Sequence, residues 1–157
     1  MNDCGIEGVR GSRVLEIGSK NALFLRCCMD RGIEAVGTEI VPERVESMRR
    51  TYPNLQIVQN TEDSLPVESN SFDYVVSFQV LEHMSNLKQM LHECVRVLKP
   101  GGCMYHICPN YKSFYEGHYR VVWWPFLRKR AGELYLRLIG RNPKYLVPQY
   151  FQLRRLA

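Results

Sequence analysis

Residues 13–39, RVLEIGSKNALFLRCCMDRGIEAVGTE, contain the pattern that decides the fold. The short apolar run Arg13–Ile17 predicts a strand that ends at Gly18. Residues 21–30 are compatible with a helix, and residues 34–39 predict a second strand. Two strands joined by a helix through short turns are typical of a right-handed crossover between parallel strands.

The alternation of strands and helices continues toward the middle of the chain. Pro42 opens a second helix, which must end before Pro53. Three more strands are predicted at residues 55–58, 72–78 and 103–108, and an apolar stripe at helical spacing lies between the last two. The pattern therefore predicts an α/β fold, a Rossmann-like doubly wound parallel sheet that binds ligands beyond the carboxyl ends of its strands.

Composition limits the class of protein. With 157 residues, 45% apolar and 24% charged, the chain suits one soluble globular domain. No apolar run is long enough to span a membrane, and Met1–Gly11 lacks the apolar core of a signal peptide, so we expect a cytoplasmic protein. The six cysteines include no C-x-x-C pair, and we expect reduced thiols and no metal site.

Positive charge is concentrated near the C-terminus. The net charge is +5, and residues 117–157 carry 9 basic side chains and 1 acidic one, mixed with aromatic residues. Such a segment can contact an anionic substrate, nucleic acid or a membrane surface, but a solvated helix face explains it equally well. An amphipathic helix is predicted around Phe126–Ile139, with one side formed by Leu127, Ala131, Leu134, Tyr135 and Leu138.

Acidic residues end the first two predicted strands. Glu16 precedes Gly18, whose missing side chain lets the backbone turn tightly against a ligand. Glu39 lies 21 residues beyond that glycine, where a carboxylate can accept both hydroxyls of a ribose. A glycine turn also occurs for steric reasons alone, and NAD-binding sheets carry an acidic residue at similar spacing, so these two positions leave the nucleotide open.

Three further blocks are more specific. They are LPVESNSFDYVVS at residues 65–77, VLEH at residues 80–83 and VRVLKPGG at residues 95–102. In this order they resemble the class I S-adenosylmethionine (SAM) methyltransferases of the type 11-like branch, which includes the quinone-biosynthesis methyltransferases. The resemblance covers residues 13–109 and implies strand order 3-2-1-4-5, with SAM as the cofactor. It divides a single domain, residues 1–157, into a SAM-binding core and a basic, aromatic substrate or cover segment at 110–157.

The resemblance also implies which residues contact SAM. Glu16 and Gly18 would face its amino-acid end, and Glu39 would face its ribose. Relatives often carry an aspartate four residues before the leucine of the LP pair, and Thr61 occupies that position here. The two acidic residues that follow it, Glu62 and Asp63, are therefore the predicted adenine contacts. The complete predicted set is Glu16, Gly18, Ser19, Lys20, Glu39, Glu62, Asp63 and Phe78.

The glycine loop departs from the family pattern. The family usually shows G-x-G-x-G, whereas residues 18–22 are GSKNA. Lys20 would either crowd SAM or pair its ammonium with the SAM carboxylate. The lost glycines also support an alternative, a degenerate or truncated binding protein that keeps the fold without turnover.

Catalytic and acceptor residues are predicted after the fourth and fifth strands. His83 is a candidate general base, although a histidine between a strand and a helix is more often a local hydrogen-bonding residue. The predicted acceptor pocket comprises Tyr111, Tyr115, Glu116, His118 and Tyr119. Simple packing would explain so many aromatic residues equally well.

The two strands with which relatives close the sheet are not found. We therefore expect a fragment or a short member of the family, in which a partner or the chain's own tail covers the open sheet edge.

The leading function is SAM-dependent methyl transfer to a small-molecule or glycan-type acceptor bound near residues 109–125. A third possibility is docking on an anionic membrane or nucleic acid through the basic cluster of Arg128, Lys129, Arg130, Arg137 and Arg141. An NAD-dependent oxidoreductase is disfavoured because the G-x-G-x-x-G spacing is absent.

Overall fold

A computed structural model describes residues 11–108, 115–116, 119–124 and 129–143 of the chain. These residues form two compact units. The first contains the described residues up to Leu81 together with Asn86–Ile107, and the second contains Glu82–Ser85 and the described residues from Cys108 onward. The prediction of a single domain over residues 1–157 stays a prediction.

The first unit is built on a five-stranded parallel sheet. Its strand order is β3-β2-β1-β4-β5, which confirms the predicted fold class. The strands are β1 (Arg13–Ile17), β2 (Glu34–Glu39), β3 (Gln56–Gln59), β4 (Phe72–Phe78) and β5 (Leu98–Ile107).

Three helices connect these strands: α1 (Leu23–Met29), α2 (Pro42–Thr51) and α3 (Leu87–Val97). Proline at the first position of α2 costs no hydrogen bond, and the Asn86 side chain caps α3 by accepting from the backbone N–H of Gln89. The central strand β1 is buried from Val14 to Ile17, as expected for a strand that is covered on both faces.

The start of β5 differs from the prediction. The sequence predicts a strand from Cys103 after a proline and two glycines, but β5 begins at Leu98, which pairs with Phe72. The register then shifts between Phe72 and Tyr74, so Pro100, Gly101 and Gly102, which were expected to end the preceding helix, lie within the strand at an irregularity. The boundary was missed because it depends on pairing with β4.

Two of the motif blocks hold the first unit together. The carboxylate of Asp73 accepts the backbone N–H of Arg13 at 2.8 Å and pairs with Lys99 Nζ at 2.8 Å. Both contacts hold the pKa of Asp73 below its usual value. Arg96 pairs with Glu93 and donates to the backbone carbonyl of Leu65 at 2.7 Å. These residues therefore join strands and fix the loop at Leu65.

The second unit contains a short hairpin and a helix. The antiparallel strands are β6 (Tyr115–Glu116) and β7 (Val121–Val122), and the helix is α4 (Lys129–Leu138). Trp123 and Leu136 are completely buried, whereas Leu134 and Leu138 are 59% and 77% exposed. The predicted amphipathic helix is present as α4, which packs through Leu136, while Leu134 and Leu138 of its predicted apolar side are exposed.

The cysteines that can be described, Cys27, Cys28, Cys94, Cys103 and Cys108, are free thiols, as predicted for reduced cysteines. Burial raises the pKa of Cys94 to about 12, which keeps this thiol protonated and unreactive. Within the described ranges no helix has the length and apolar character required to cross a membrane.

Candidate cofactor site

The turn that follows β1 is tied to β2 by backbone hydrogen bonds. Gly18 N and Ser19 N both donate to the carbonyl of Thr38, at 2.9 and 2.8 Å. The Thr38 hydroxyl, which is completely buried, donates back to the carbonyl of Glu16 at 3.2 Å. The loop at the carboxyl end of β1 is therefore held in one conformation by its neighbouring strand.

The backbone of this loop keeps a glycine-type conformation where glycines are missing. Gly18 has φ +75°, Lys20 has φ +33° and Ala22 has φ +56°, which are the three positions of the family's G-x-G-x-G pattern. Residues other than glycine rarely adopt such backbone angles, because the left-handed conformation costs them about 1–2 kcal/mol each. The loop conformation is therefore retained against local strain.

Glycines line this turn for reasons of space. A Cβ added at Gly18 would approach Val80 Cγ2 to 2.6 Å, and one added at Gly37 would collide with Ser19 Oγ. Gly37 lies in the middle of β2, and sequence reasoning did not single it out as part of the site. A glycine inside a strand was the only sign of a close contact at this position. Its missing side chain makes room for Ser19, which is 2% exposed.

Glu16 is a buried carboxylate at the same edge. It is 5% exposed, and its Oε2 atom has no hydrogen-bond partner among the described residues. Burial raises the pKa of Glu16 to about 7, and the nearby Ser19 hydroxyl offsets this effect only in part. A buried carboxylate of this kind is stabilised by a cationic ligand group.

Glu39 is fixed at the carboxyl end of β2. It is 3% exposed, and its Oε1 atom accepts the backbone N–H groups of Ile40 and Val41, each at 3.0 Å. Arg44 lies 3.7 Å from the same oxygen. All of these contacts use Oε1, which leaves Oε2 for a ligand hydroxyl.

The loop after β3 holds a buried amide that was missed in the sequence. Asn60 is 7% exposed, its backbone N–H donates to the carbonyl of Glu39 at 3.1 Å, and its side-chain amide donates to the carbonyl of Thr61 at 2.7 Å. The predicted adenine contacts Glu62 and Asp63 lie next to it with exposed side chains. A polar residue directly after a strand, two residues before an acidic pair, was the available signal.

The ends of β4 and β5 supply aromatic and polar groups. Phe78 is 36% exposed and packs against Phe24 with ring centroids 5.3 Å apart. Ser77 is completely buried, and its hydroxyl lies 2.8 Å from Nδ1 of His106, whose pKa is lowered by burial. This pair was missed because 29 residues separate its members in the sequence.

The predicted catalytic and acceptor residues belong to the second unit. His83 is exposed and its Nε2 lies 3.9 Å from Glu82 Oε1, while Tyr119 is 7% exposed, which favours packing. Tyr115 and Glu116 lie in β6, and their side chains are outside the description. Tyr111 and His118 lie outside the described residues. All six roles stay predictions.

A parallel sheet with carboxylates fixed at the ends of β1 and β2 defines a Rossmann-like domain that binds a nucleoside-containing cofactor. Comparison with known families identifies the kind of domain: the chain belongs to the methyltransferase domain family, whose model matches residues 15–106. This confirms the resemblance seen in the sequence. S-adenosylmethionine is the cofactor that membership of this family implies.

Individual relatives agree with this assignment. The chain is 34% identical to a probable S-adenosylmethionine-dependent methyltransferase of Mycolicibacterium smegmatis, over 68% of this chain and 42% of the relative. It is 30% identical to a demethylmenaquinone methyltransferase of Chlorobaculum tepidum, over 66% of this chain and 43% of the relative. The chain thus spans less than half the length of these curated relatives.

A solved structure supports the same fold. A putative methyltransferase of Haloferax volcanii, in complex with the Trm112 methyltransferase activator, superposes with a TM-score of 0.59 at 27% identity. The superposition covers 70% of this chain and 48% of the other chain.

The strain at Lys20 makes a testable prediction. Lys20→Gly is expected to change the free energy of unfolding by less than about 1 kcal/mol, because relief of the positive φ offsets the entropy that glycine adds to the unfolded chain. If the Lys20 ammonium pairs with the SAM carboxylate, SAM affinity should fall by about tenfold; if the side chain crowds SAM, affinity should rise. Calorimetric titration with SAM measures the affinity and so distinguishes pairing from crowding. A change in affinity smaller than about threefold contradicts both ideas.

Proposed function

We propose that this chain binds SAM at the carboxyl ends of β1 and β2 and transfers its methyl group to a small-molecule or glycan-type acceptor near residues 109–125. The observation that best supports this proposal is the buried Glu16 carboxylate beside the glycine-type turn. Its Oε2 atom lacks a hydrogen-bond partner among the described residues. A cytoplasmic location is part of the same proposal.

The described residues fit the cofactor. Glu16 offers an anionic oxygen for the ammonium of the methionine part, and the ammonium of Lys20 lies on the exposed side of the same turn. Glu39 presents its Oε2 toward ribose hydroxyls while its other oxygen is held by the backbone. Phe78 offers an apolar ring face, and residues 60–63 supply amide and acidic groups for the adenine.

Methyl transfer requires little covalent chemistry from the protein. When bound, SAM would supply a methyl group on a positively charged sulfur: a lone pair of the acceptor would bond to the methyl carbon while the carbon–sulfur bond breaks and a neutral thioether leaves. This chain contributes by orientation: the turn locked to Thr38 and the fixed Glu39 carboxylate limit the positions that the cofactor can take. His83 and the residues of the predicted acceptor pocket remain the candidates for contacts with the acceptor.

The non-catalytic alternative has less support. It rests on the missing glycines of the loop, yet Lys20 and Ala22 keep the left-handed backbone that those glycines would adopt. A degenerate loop would be under no constraint to keep two strained residues. Because the Haloferax volcanii neighbour is in complex with an activator protein, we include such a protein among the partners proposed for this chain.

The test of this proposal is the pH dependence of SAM binding. Free Glu16 has a pKa of about 7, so it is mostly protonated at pH 6 and mostly charged at pH 8. A bound ammonium favours the charged form, so SAM binding should release a proton near pH 6 and tighten as the pH rises. The expected gain approaches about tenfold in affinity per pH unit below the pKa. Calorimetry in two buffers of different ionisation enthalpy measures the released proton.

Two controls separate this effect from general changes. Glu16→Gln should remove the pH dependence, whereas Glu43→Gln, an exposed residue in the first turn of α2, should leave it unchanged. Saturable binding of NAD in place of SAM would contradict the proposal, as would SAM binding that ignores both pH and Glu16. SAM binding without methyl transfer to any of a panel of phenols, quinols and glycans would favour the non-catalytic alternative.

A further inference from the structure

One side of α4 exposes large apolar residues. Leu134 and Leu138 are 59% and 77% exposed, whereas Leu136 is completely buried. In a helix, residues four apart lie on the same side, and Leu136 lies almost opposite both of them. The helix is therefore anchored through Leu136 and presents the other two leucines to solvent.

The apolar surface continues beyond the helix. Tyr135 donates its hydroxyl to the carbonyl of Val122 at 2.9 Å, and its ring contacts Trp124 with centroids 5.8 Å apart. Val122 is 60% exposed and Trp124 is 43% exposed. A leucine pair on the helix and an exposed tryptophan beside it thus belong to one neighbourhood of the second unit.

Arginines flank these leucines on the helix surface. Arg130 lies four residues before Leu134, and Arg137 lies three residues after it, so both are neighbours of that leucine on the helix. Both arginines and Arg141 are exposed, and none of the ion pairs found among the described residues involves them. Exposed apolar residues beside exposed cations are complementary to a partner that is apolar and anionic at once.

We propose that this surface, the α4 face, docks on an anionic lipid membrane. The α4 face is formed by Trp124, Arg130, Leu134, Arg137 and Leu138. The leucines and the tryptophan enter the boundary between headgroups and acyl chains, and the arginines contact lipid phosphates. Nucleic acid fits less well, because phosphates would pair with the arginines and leave both leucines in water.

The experiment is sedimentation of the full chain with lipid vesicles. Vesicles with roughly one third phosphatidylglycerol in phosphatidylcholine should retain the protein, and vesicles of phosphatidylcholine alone should retain much less. Leu134→Gln with Leu138→Gln should weaken partitioning to the anionic vesicles by about tenfold or more. Arg130→Gln with Arg137→Gln should weaken it similarly and reduce its sensitivity to salt.

Matched controls lie on α3. Val95 is 60% exposed and Lys88 is exposed, so Val95→Gln and Lys88→Gln change the same properties at another surface and should leave partitioning unchanged. Because all substituted side chains are exposed, unfolding temperatures should remain close to that of the parent, and the arginine pair decides the outcome if the leucine pair fails to fold.

Three results would overturn the proposal. The first is no retention on anionic vesicles, and the second is retention that the leucine and arginine variants leave unchanged. The third is a different partner for the same surface: binding to a DNA or RNA duplex without vesicle binding, or a dimer that only the leucine variants dissociate. Vesicle binding requires no SAM, so its failure would leave the proposed methyl transfer untouched.

Discussion

Glu39→Ala is expected to weaken SAM binding by roughly 100-fold or more, since charge-assisted hydrogen bonds to two ribose hydroxyls are together worth about 3 kcal/mol. The effect should be large because Glu39 is 3% exposed and already oriented, so little entropy is lost when a ligand binds. Calorimetric titration of the parent and the variant with SAM measures the loss.

The same substitution also affects the fold, and a second variant separates the two effects. Glu39 Oε1 accepts the N–H groups of Ile40 and Val41 just before α2, and losing this acceptor should lower the free energy of unfolding by about 1–2 kcal/mol. Glu39→Gln keeps a carbonyl oxygen for these donors and removes only the charge. It should unfold close to the parent temperature and still bind SAM about tenfold more weakly.

Glu43→Gln is the matched control, because it removes an exposed carboxylate from the same helix start. Unchanged SAM affinity in Glu39→Gln and Glu39→Ala would rule out a ribose contact at this position. Equal losses in Glu39→Gln and Glu43→Gln would instead indicate a general effect of negative charge around α2.

Gly18→Ala is expected to lower the free energy of unfolding by about 2–4 kcal/mol. Two costs add together: φ is +75°, and the new Cβ would approach Val80 Cγ2 to 2.6 Å. Either the turn or Val80 must move, so the backbone that is tied to Thr38 should shift and SAM binding should weaken as well. Urea unfolding, followed by circular dichroism, measures the change in stability.

Gly32→Ala measures the conformational cost alone. Gly32 has φ +67° and nothing within 4 Å of the added Cβ, so its loss should be only about 1 kcal/mol. Combining Gly18→Ala with Val80→Ala should recover part of the stability, because the contacting methyl groups are removed. Equal losses at Gly18 and Gly32, with no recovery in the double variant, would show that contact with Val80 is unimportant.

Local sequence patterns determined the elements of the first unit and their order. The segments at residues 13–17, 34–39 and 72–78 became β1, β2 and β4 with the predicted bounds, because each is a short strand-like run between turn or helix signals. Glu16 and Glu39 could be placed at the ligand edge for a related reason. In a parallel sheet, the end of each strand lies at the same edge, whatever the register.

Tertiary contacts decided what the sequence left open. The left-handed backbone at Lys20 and Ala22, the space that Gly37 leaves for Ser19 and the pairing of Ser77 with His106 all depend on neighbours from other elements. The start of β5 at Leu98 depends likewise on its pairing with β4.

The packed side of α4 was likewise decided by tertiary contacts. Helical spacing showed that Leu134 and Leu138 share a side, but Leu136 and Gly132, on another side of the helix, are the residues that are buried. Periodicity reports which side chains lie together on a helix, while burial depends on the surface that the rest of the unit presents to it. The sequence by itself therefore determined the family, the order of elements and the acidic residues of the cofactor edge. Register and packing between distant residues determined the shape of the turn and the face that remains exposed.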